Sequence, residues 1–186
     1  MVETRYISDL HLGHKNIYNM PFPASNGRGR MREFNNFEEC ESYLVQQYNN
    51  VVEHNDKVYF LGDIFFNKER AELILPQLKG NKFLVMGNHD NKGDVSFYRQ
   101  FFQKVHGVLY MKKQKCIVSH MPVHPYLLGE TEFGRRFEYN IHGHTHDHYV
   151  MNGSKRDPQY LNCSVEAVNY IPRTLDELIS MNGEQL

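Results

Sequence analysis

The chain has 186 residues, of which 40% are hydrophobic and 23% are charged, and its net charge is −1 at pH 7. This balance is typical of a globular domain, and we expect one domain spanning residues 1–186. Near-neutral charge provides no overall field that would attract nucleic acid or a membrane surface. No apolar run approaches the roughly 20 residues of a membrane span, so no membrane partner is expected.

The N-terminal segment and the cysteines both favour a cytoplasmic protein. Acidic Glu3 and a very short apolar stretch argue against a signal peptide. Cys40, Cys116 and Cys163 are odd in number and far apart, with no CxxC spacing. We predict that they are reduced, buried thiols rather than a disulfide framework.

Strands and helices are predicted to alternate along the first half of the chain. Short apolar runs that end in glycine or polar residues predict strands, and apolar residues spaced by three and four predict helices. The predicted strands are TRYIS, KVYFLGD, NKFLVMG, GVLYM, KCIVS, EYNIH and YLNCSVEAV, and the predicted helices are residues 37–54, residues 68–75, DVSFYRQFF and TLDELISM.

Two of these helices carry clear N-terminal signals. Asn67 is a plausible cap for the helix that begins at Lys68. Thr174 followed by Glu177 three positions later is the pattern of a capping box. The alternation of elements favours the α/β class, with sheets packed between helices.

Polar side chains follow five predicted strands at the point where each strand ends. In open α/β sheets, ligands bind at the carboxyl ends of strands, where loops present polar groups on a rigid frame. Nine of the 11 histidines lie in four short stretches, which is typical of a metal or proton-transfer site. The five strand ends are YISDLH with Asp9 and His11, FLGDIF with Asp63, VMGNHD with Asn88, His89 and Asp90, IVSHMP with His120, and IHGHTH with His144 and His146.

These side chains offer oxygen and nitrogen donors without a cysteine. A bridging carboxylate can hold two divalent ions about 3.5–4 Å apart, as two-metal phosphate chemistry requires. The donor set suits manganese, iron, zinc or nickel, and it argues against a closed structural zinc site. Gly62, Gly87 and Gly143 each precede a candidate ligand and permit the sharp turns that such a site needs.

The ordered motifs DLH, GD, GNHD, H and GHTH resemble the complete motif set of the calcineurin-like metallophosphoesterase superfamily. They span Asp9 to His146, about three quarters of the chain, and the small size resembles the compact phosphoesterases of bacteria and phages. The resemblance implies a four-layer α-β-β-α sandwich. It also implies hydrolysis of a phosphate ester by a hydroxide that bridges two divalent ions, with Mn²⁺ expected first and Fe, Zn or Ni as alternatives.

The resemblance further implies a role for each motif residue. His89 would face the scissile phosphate and protonate the leaving oxygen, and Asp90 would orient His89. The other clustered histidines, at positions 14, 124, 142 and 148, are expected outside the ligand set. One ion would be held by Asp9, His11, Asp63 and His146, and the second by Asp63, Asn88, His120 and His144, so that Asp63 is the bridge.

Arginines near the motifs are candidate substrate contacts. Arg28, Arg30 and Arg32 lie in a polar, glycine-rich loop, and Arg135 and Arg136 precede a predicted strand. They are predicted either to contact substrate phosphate from a lid or to lie on solvated loops.

We expect a phosphodiesterase for a small, phosphorylated, nucleotide-like substrate, since a histidine acid assists a poor alkoxide leaving group. A phosphomonoesterase or phosphatase is one alternative. A small nuclease is another, although the near-neutral charge disfavours nucleic acid as the partner. A non-catalytic scaffold is the third, and the intact motif set disfavours it.

Overall fold

The computed structural model describes residues 1–17, 31–132, 134–135 and 137–183. Short strands and four α-helices lie in these ranges. The strands are β1 Thr4–Ile7, β2 Lys57–Phe60, β3 Asn81–Val85, β4 Lys104–His106, β5 Leu109–Met111, β6 Cys116–Val118, β7 Glu130–Thr131, β8 Gly134–Arg135, β9 Tyr139–His142, β10 Met151–Asn152, β11 Lys155–Arg156 and β12 Tyr160–Asn162. The helices are α1 Phe37–Val51, α2 Lys68–Ile74, α3 Val95–Tyr98 and α4 Leu175–Gly183.

The first sheet is entirely parallel, with the strand order β1-β2-β3-β4. Because parallel strands end at the same edge of a sheet, the segments that follow β1, β2 and β3 lie side by side. Asp9, Asp63 and Asn88 come two or three residues after these strands end. The topology therefore brings three of the predicted ligands to one edge.

The second sheet has the order β12-β9-β6-β5, in which only β5 runs antiparallel to its neighbour. The segments after β6 and β9 begin side by side, and they carry His120 and His144. An isolated parallel bridge between Ser8 and Ser164 joins the end of β1 to the segment after β12. This bridge places the carboxyl edges of the two sheets next to each other.

The apolar side chains form layers between sheets and helices. This arrangement confirms the α/β class that the sequence predicted. One core lies between the first sheet and helices α1 and α2, where Leu44, Ile7 and Phe60 pack together. A second core lies between the two sheets and includes Tyr6 and Ile141. A third cluster lies on the other face of the second sheet, where Ile117 of β6 and Tyr160 of β12 pack with Leu128 and Phe137 from the connecting segments.

The local signals for helix starts are confirmed. Asn67 caps α2, since its side chain accepts a hydrogen bond from the backbone N–H of Arg70. Thr174 and Glu177 form the expected capping box, with hydrogen bonds of 2.7 and 3.3 Å. The first helix ends at Val51, three residues before the predicted end.

The three cysteines are free and buried, as predicted. Within the described ranges, none of the helices combines the length and the apolar character that crossing a membrane requires.

Candidate active site

Two groups of metal-ligating side chains lie at the shared edge of the two sheets. The ligand atoms within each group lie within 4.8 Å of one another. The split between the groups follows the predicted assignment of ligands to two ions. The first group is Asp9, His11 and His146, and the second is Asp63, His120 and His144.

Asp63 lies between the two groups. Its Oδ2 atom is 3.3 Å from Nε2 of His120 in its own group and 3.9 Å from Nε2 of His11 in the other. Asn88 adds its Oδ1 atom to the second group, 2.9 Å from Nε2 of His120. A carboxylate in this position can reach two cations at once, as the predicted bridge requires.

The backbone of the ligand loops is strained at the ligands themselves. Asp9, His11, Asp63, His144 and His146 all have φ between 51° and 69°, the left-handed region that non-glycine residues rarely adopt. Each such residue costs about 1–3 kcal/mol, and this strain is concentrated at functional sites. The surrounding structure therefore holds these side chains in a costly arrangement.

Two glycines make room for this arrangement. A Cβ atom at Gly87 would overlap the carboxylate of Asp63, and one at Gly143 would overlap Ser8 and the carboxylate of Asp9. The loop backbones therefore approach the acidic ligands more closely than any residue with a side chain would allow.

Hydrogen bonds lock the ligand loops to one another. The Oδ2 atom of Asp9 accepts a hydrogen bond of 2.9 Å from the backbone N–H of His144. The Oδ1 atom of Asp63 accepts one of 2.9 Å from the backbone N–H of His89. Nδ1 of His120 lies 2.6 Å from the carbonyl oxygen of Leu61. When that nitrogen donates to the carbonyl, Nε2 carries the lone pair that a cation needs.

Glu166 is a site residue that the motif reasoning missed. One of its oxygens lies 3.1 Å from Nδ1 of His146, and the other accepts a hydrogen bond of 2.7 Å from Arg32. A carboxylate behind a ligating histidine sets its tautomer and orientation. The signal in the sequence was a single acidic residue in the otherwise uncharged stretch CSVEAV.

Arg32 is buried and paired, which differs from the lid or solvated loop that the sequence predicted, and its contact with substrate stays a prediction. Its side chain is buried and donates hydrogen bonds to the carbonyl oxygens of Leu10 and Asp9 as well as to Glu166. The guanidinium has five donors in a planar fork and can satisfy several buried acceptors at once. Arg32 therefore fixes the first ligand loop from behind.

The structure does not describe the side chains of the other four arginines predicted to contact substrate. Arg28, Arg30 and Arg136 lie outside the described residues. Arg135 lies in β8, and its side chain is also outside the described part of the structure. Substrate contact by these four residues stays a prediction.

Asp90 also has a role different from the one predicted. Its carboxylate accepts hydrogen bonds from the backbone N–H groups of Asp63, Ile64 and Gly87 and from the hydroxyl of Tyr98, over 2.8–3.1 Å. These four donors occupy both oxygens, and among the described residues no hydrogen bond joins this carboxylate to the ring of His89. We therefore correct the prediction that Asp90 orients His89, because Asp90 instead ties two ligand loops together.

His89 lies beside the first ligand group. The centre of its ring is 5.9 Å from that of His11, and it is exposed to solvent. The remaining clustered histidines stay outside both groups, as expected. His142 is buried, with Nδ1 2.9 Å from the carbonyl oxygen of Gly143, and His124 caps a short 3-10 turn.

The carboxyl groups of the site are ionised at neutral pH. Burial alone would raise the pKa of Asp9, but nearby imidazoles, His11 first among them, outweigh burial and hold the pKa well below its ordinary value. The pKa of Asp63 is lowered in the same way, against burial, chiefly by His120. Burial would also raise the pKa of Glu166, but its ion pair lowers it to about 2. The site is therefore rich in negative charge that a cation would balance.

The residues present fit two divalent cations. Oδ1 of Asp9 and both ring nitrogens of His11 are buried without a hydrogen-bond partner among the described residues. Burial lowers the pKa of His11, which favours the neutral imidazole that binds metals. Buried polar atoms without partners are costly, and cations would satisfy them.

Comparison with known proteins agrees with this geometry. The family model described as calcineurin-like phosphoesterase matches residues 6–148. The chain belongs to the calcineurin-like phosphoesterase family. This phosphoesterase is 33% identical over 183 residues to the uncharacterized protein MJ1445 of Methanocaldococcus jannaschii, covering 94% of this chain and 88% of that protein. Family membership makes it a metal-dependent phosphoester hydrolase.

Two further relatives resemble this phosphoesterase. The gene 66 protein of Mycobacterium phage L5 is 24% identical over 181 residues, which cover 82% of this chain and 81% of the phage protein. The crystal structure of AQ665, a protein of unknown function from Aquifex aeolicus, superposes with a TM-score of 0.66 at 25% identity. That match covers 97% of this chain and 100% of the Aquifex chain, so the similarity in fold extends beyond the motif region.

Proposed function

We propose that this phosphoesterase is a dinuclear phosphodiesterase that hydrolyses a small, nucleotide-like phosphate ester. The observation that carries the proposal is the position of Asp63 between two groups of ligands, each completed by residues from other strand ends. Two cations held side by side suit the in-line displacement at phosphorus that ester hydrolysis requires.

The ligand set proposed for the cations follows the two groups. When bound, the cations supply positive charge that lowers the pKa of an attacking water molecule and polarises the phosphoryl oxygens. The mixture of carboxylate, amide and imidazole donors suits Mn²⁺, which we propose as the native ion. The first ion would be held by Asp9, His11, His146 and Asp63, and the second by Asp63, Asn88, His120 and His144.

His89 is the group proposed to assist the leaving oxygen. Its backbone N–H is held by Asp63, and its exposed ring stands beside the first ligand group. Water would attack phosphorus and release a proton to solvent, the ester P–O bond would break, and protonated His89 would give its proton to the departing alkoxide. Such assistance matters most for a poor leaving group, which is why we favour a diester of an aliphatic alcohol or sugar hydroxyl.

A substrate panel tests the proposed reaction. The protein is loaded with Mn²⁺, Ni²⁺ or Zn²⁺ and assayed with mono- and diesters of nitrophenyl phosphate, cyclic nucleotides, and single-stranded DNA and RNA. We expect the highest kcat/KM on a small diester with Mn²⁺. Turnover of monoesters alone would make the enzyme a phosphomonoesterase, and preference for the polymers would make it a nuclease. No turnover of any ester would contradict an enzymatic function.

The role of His89 is tested by its alanine variant. His89→Ala should retain two ions and lose about 10²–10⁴-fold in kcat on substrates with an alkoxide leaving group, the range for general acid catalysis. The loss should be much smaller on nitrophenyl esters, whose leaving group needs no proton. His124→Ala, which removes another exposed histidine, is the matched control. Equal loss by His89→Ala on both kinds of substrate would contradict proton donation.

A further inference from the structure

Two adjacent phenylalanines follow the Asp63 loop and differ in exposure. Phe65 packs into the protein, with its ring centre 5.3 Å from that of Phe97 and 5.2 Å from that of Tyr98. Phe66 is 47% exposed. Core packing explains the position of Phe65. It does not explain the position of the exposed Phe66 ring.

The exposed ring of Phe66 lies among three histidines of the site. Its centre is 4.4 Å from the ring centre of His14, 5.1 Å from that of His89 and 5.3 Å from that of His11. It therefore contacts both the proposed acid and a proposed metal ligand. If the leaving oxygen lies at His89, the group attached to that oxygen would lie within reach of the ring of Phe66.

The backbone holds Phe66 in place. Its N–H donates a hydrogen bond of 2.8 Å to the carbonyl oxygen of Leu12 in the first ligand loop. The N–H of Asn67 lies 3.3 Å from the same oxygen, and Asn67 begins α2 as its cap. The backbone that carries the ring is thus fixed between a ligand loop and the start of a helix, so a ligand that packs on the ring loses little entropy to ordering this backbone.

We propose that Phe66 is a stacking platform that selects substrates with an aromatic ring on the leaving group, such as the base of a nucleotide. The inference rests on the proposed function, because His89 defines the leaving-group side of the site. Phenylalanine has no hydrogen-bonding group and stacks on any base. Phe66 therefore selects for an aromatic ring without selecting among the bases.

The test compares two ligands that differ only in the base. Adenosine 5′-monophosphate and ribose 5-phosphate share the phosphate and the sugar, and their dissociation constants for the Mn²⁺-loaded protein are measured by calorimetry. Loss of stacking by substitution typically costs about 1–3 kcal/mol, or about 5- to 150-fold in affinity. We expect the wild-type protein to prefer the nucleotide by at least about 5-fold.

Substitutions at Phe66 decide whether the ring causes that preference. Phe66→Leu keeps apolar bulk and should bring the ratio of the two dissociation constants close to one. Phe66→Tyr should restore the ratio, and Phe66→Trp, with a larger face, should raise it. Tyr110→Ala removes an aromatic side chain that is 59% exposed on β5 and should leave the ratio unchanged.

The failure of this inference is distinguishable from failure of the proposed function. A wild-type ratio near one, or an unchanged ratio in Phe66→Leu, would overturn the role of Phe66 even if the protein hydrolyses diesters. If Phe66→Leu does not fold, equal ratios in the wild type and Phe66→Trp overturn the role instead. Absence of turnover in the substrate panel would overturn the proposed function, whatever the binding ratio.

Discussion

Replacing Arg32 with methionine removes the cation that holds the first ligand loop from behind. Methionine keeps most of the length and apolar stem of the side chain, so the change is mainly the loss of the guanidinium. The carbonyl oxygens of Asp9 and Leu10 lose a donor, and Glu166 loses its ion pair while staying buried. Only the contact between Glu166 and His146 remains.

The magnitude follows from the burial of the pair. Removing one partner of a buried ion pair costs about 3–5 kcal/mol, because the other charge is left without compensation. Since His146 still faces Glu166, we expect the lower end, about 3 kcal/mol of the free energy of unfolding. For a chain of this length, that corresponds to a fall in Tm of about 6–12 °C.

Urea denaturation in EDTA measures this cost without a contribution from bound metal. Adding Glu166→Gln to Arg32→Met removes the orphaned charge and should recover part of the loss, so that the two changes are not additive. Lys115→Met is the matched control, because it breaks an ion pair with Glu138 in which Lys115 is exposed and Glu138 is only partly buried. Exposed pairs contribute at most about 1 kcal/mol.

A cost for Arg32→Met as small as that of Lys115→Met would refute the reasoning. It would mean that the guanidinium does not stabilise the ligand loop. A loss confined to KM, with the free energy of unfolding unchanged, would also refute it and would return Arg32 to the role of a substrate contact.

Two further predictions concern buried polar groups. Asp90→Asn should destabilise the metal-free protein by about 2–4 kcal/mol in urea denaturation, because the amide cannot accept from all the backbone donors that the carboxylate serves; Asp94→Asn, at the more exposed salt-bridge carboxylate, is the control. A loss of turnover without a loss of stability would restore the orienting role of Asp90. Burial raises the pKa of Cys40, Cys163 and, to about 12, Cys116. The native protein at pH 8 should therefore leave all three thiols unreacted with a disulfide reagent, and unfolded protein should react at three; rapid reaction in the native state would contradict this burial.

Much of the site could be predicted because its ligands sit in short motifs that follow strands. Each motif combines an apolar run with a polar end, so Asp63 or His120 is recognisable without knowledge of the neighbouring strands. Parallel pairing then brings the strand ends together.

Arg32 and Glu166 could not be paired from the sequence in the same way. They are 134 positions apart, and no periodicity links a loop arginine to an acid near the C-terminal end. The loop composition around Arg32 is polar and glycine-rich, which favours a solvated surface. Tertiary burial overrides that local preference, because the left-handed backbone at Asp9 leaves carbonyl oxygens that a buried donor satisfies.

Element boundaries were also less predictable than element types. The segment DVSFYRQFF forms a helix only over Val95–Tyr98, and the strand YLNCSVEAV pairs only over Tyr160–Asn162. Beyond Cys163, whose N–H still bonds to His142 of β9, the chain bridges to Ser8 through Ser164 instead. A hydrophobic pattern indicates which residues are buried. It does not show whether a buried residue pairs within a sheet or only packs against it.

Metal content of the purified protein tests the central claim most directly. Elemental analysis after Mn²⁺ loading and gel filtration should find two ions per chain in the wild type. Asp63→Ala should lose both, because each ligand group depends on this carboxylate. Asp56→Ala, which removes another buried carboxylate, just before β2, should retain both. Two tightly bound ions in folded Asp63→Ala would contradict the shared site.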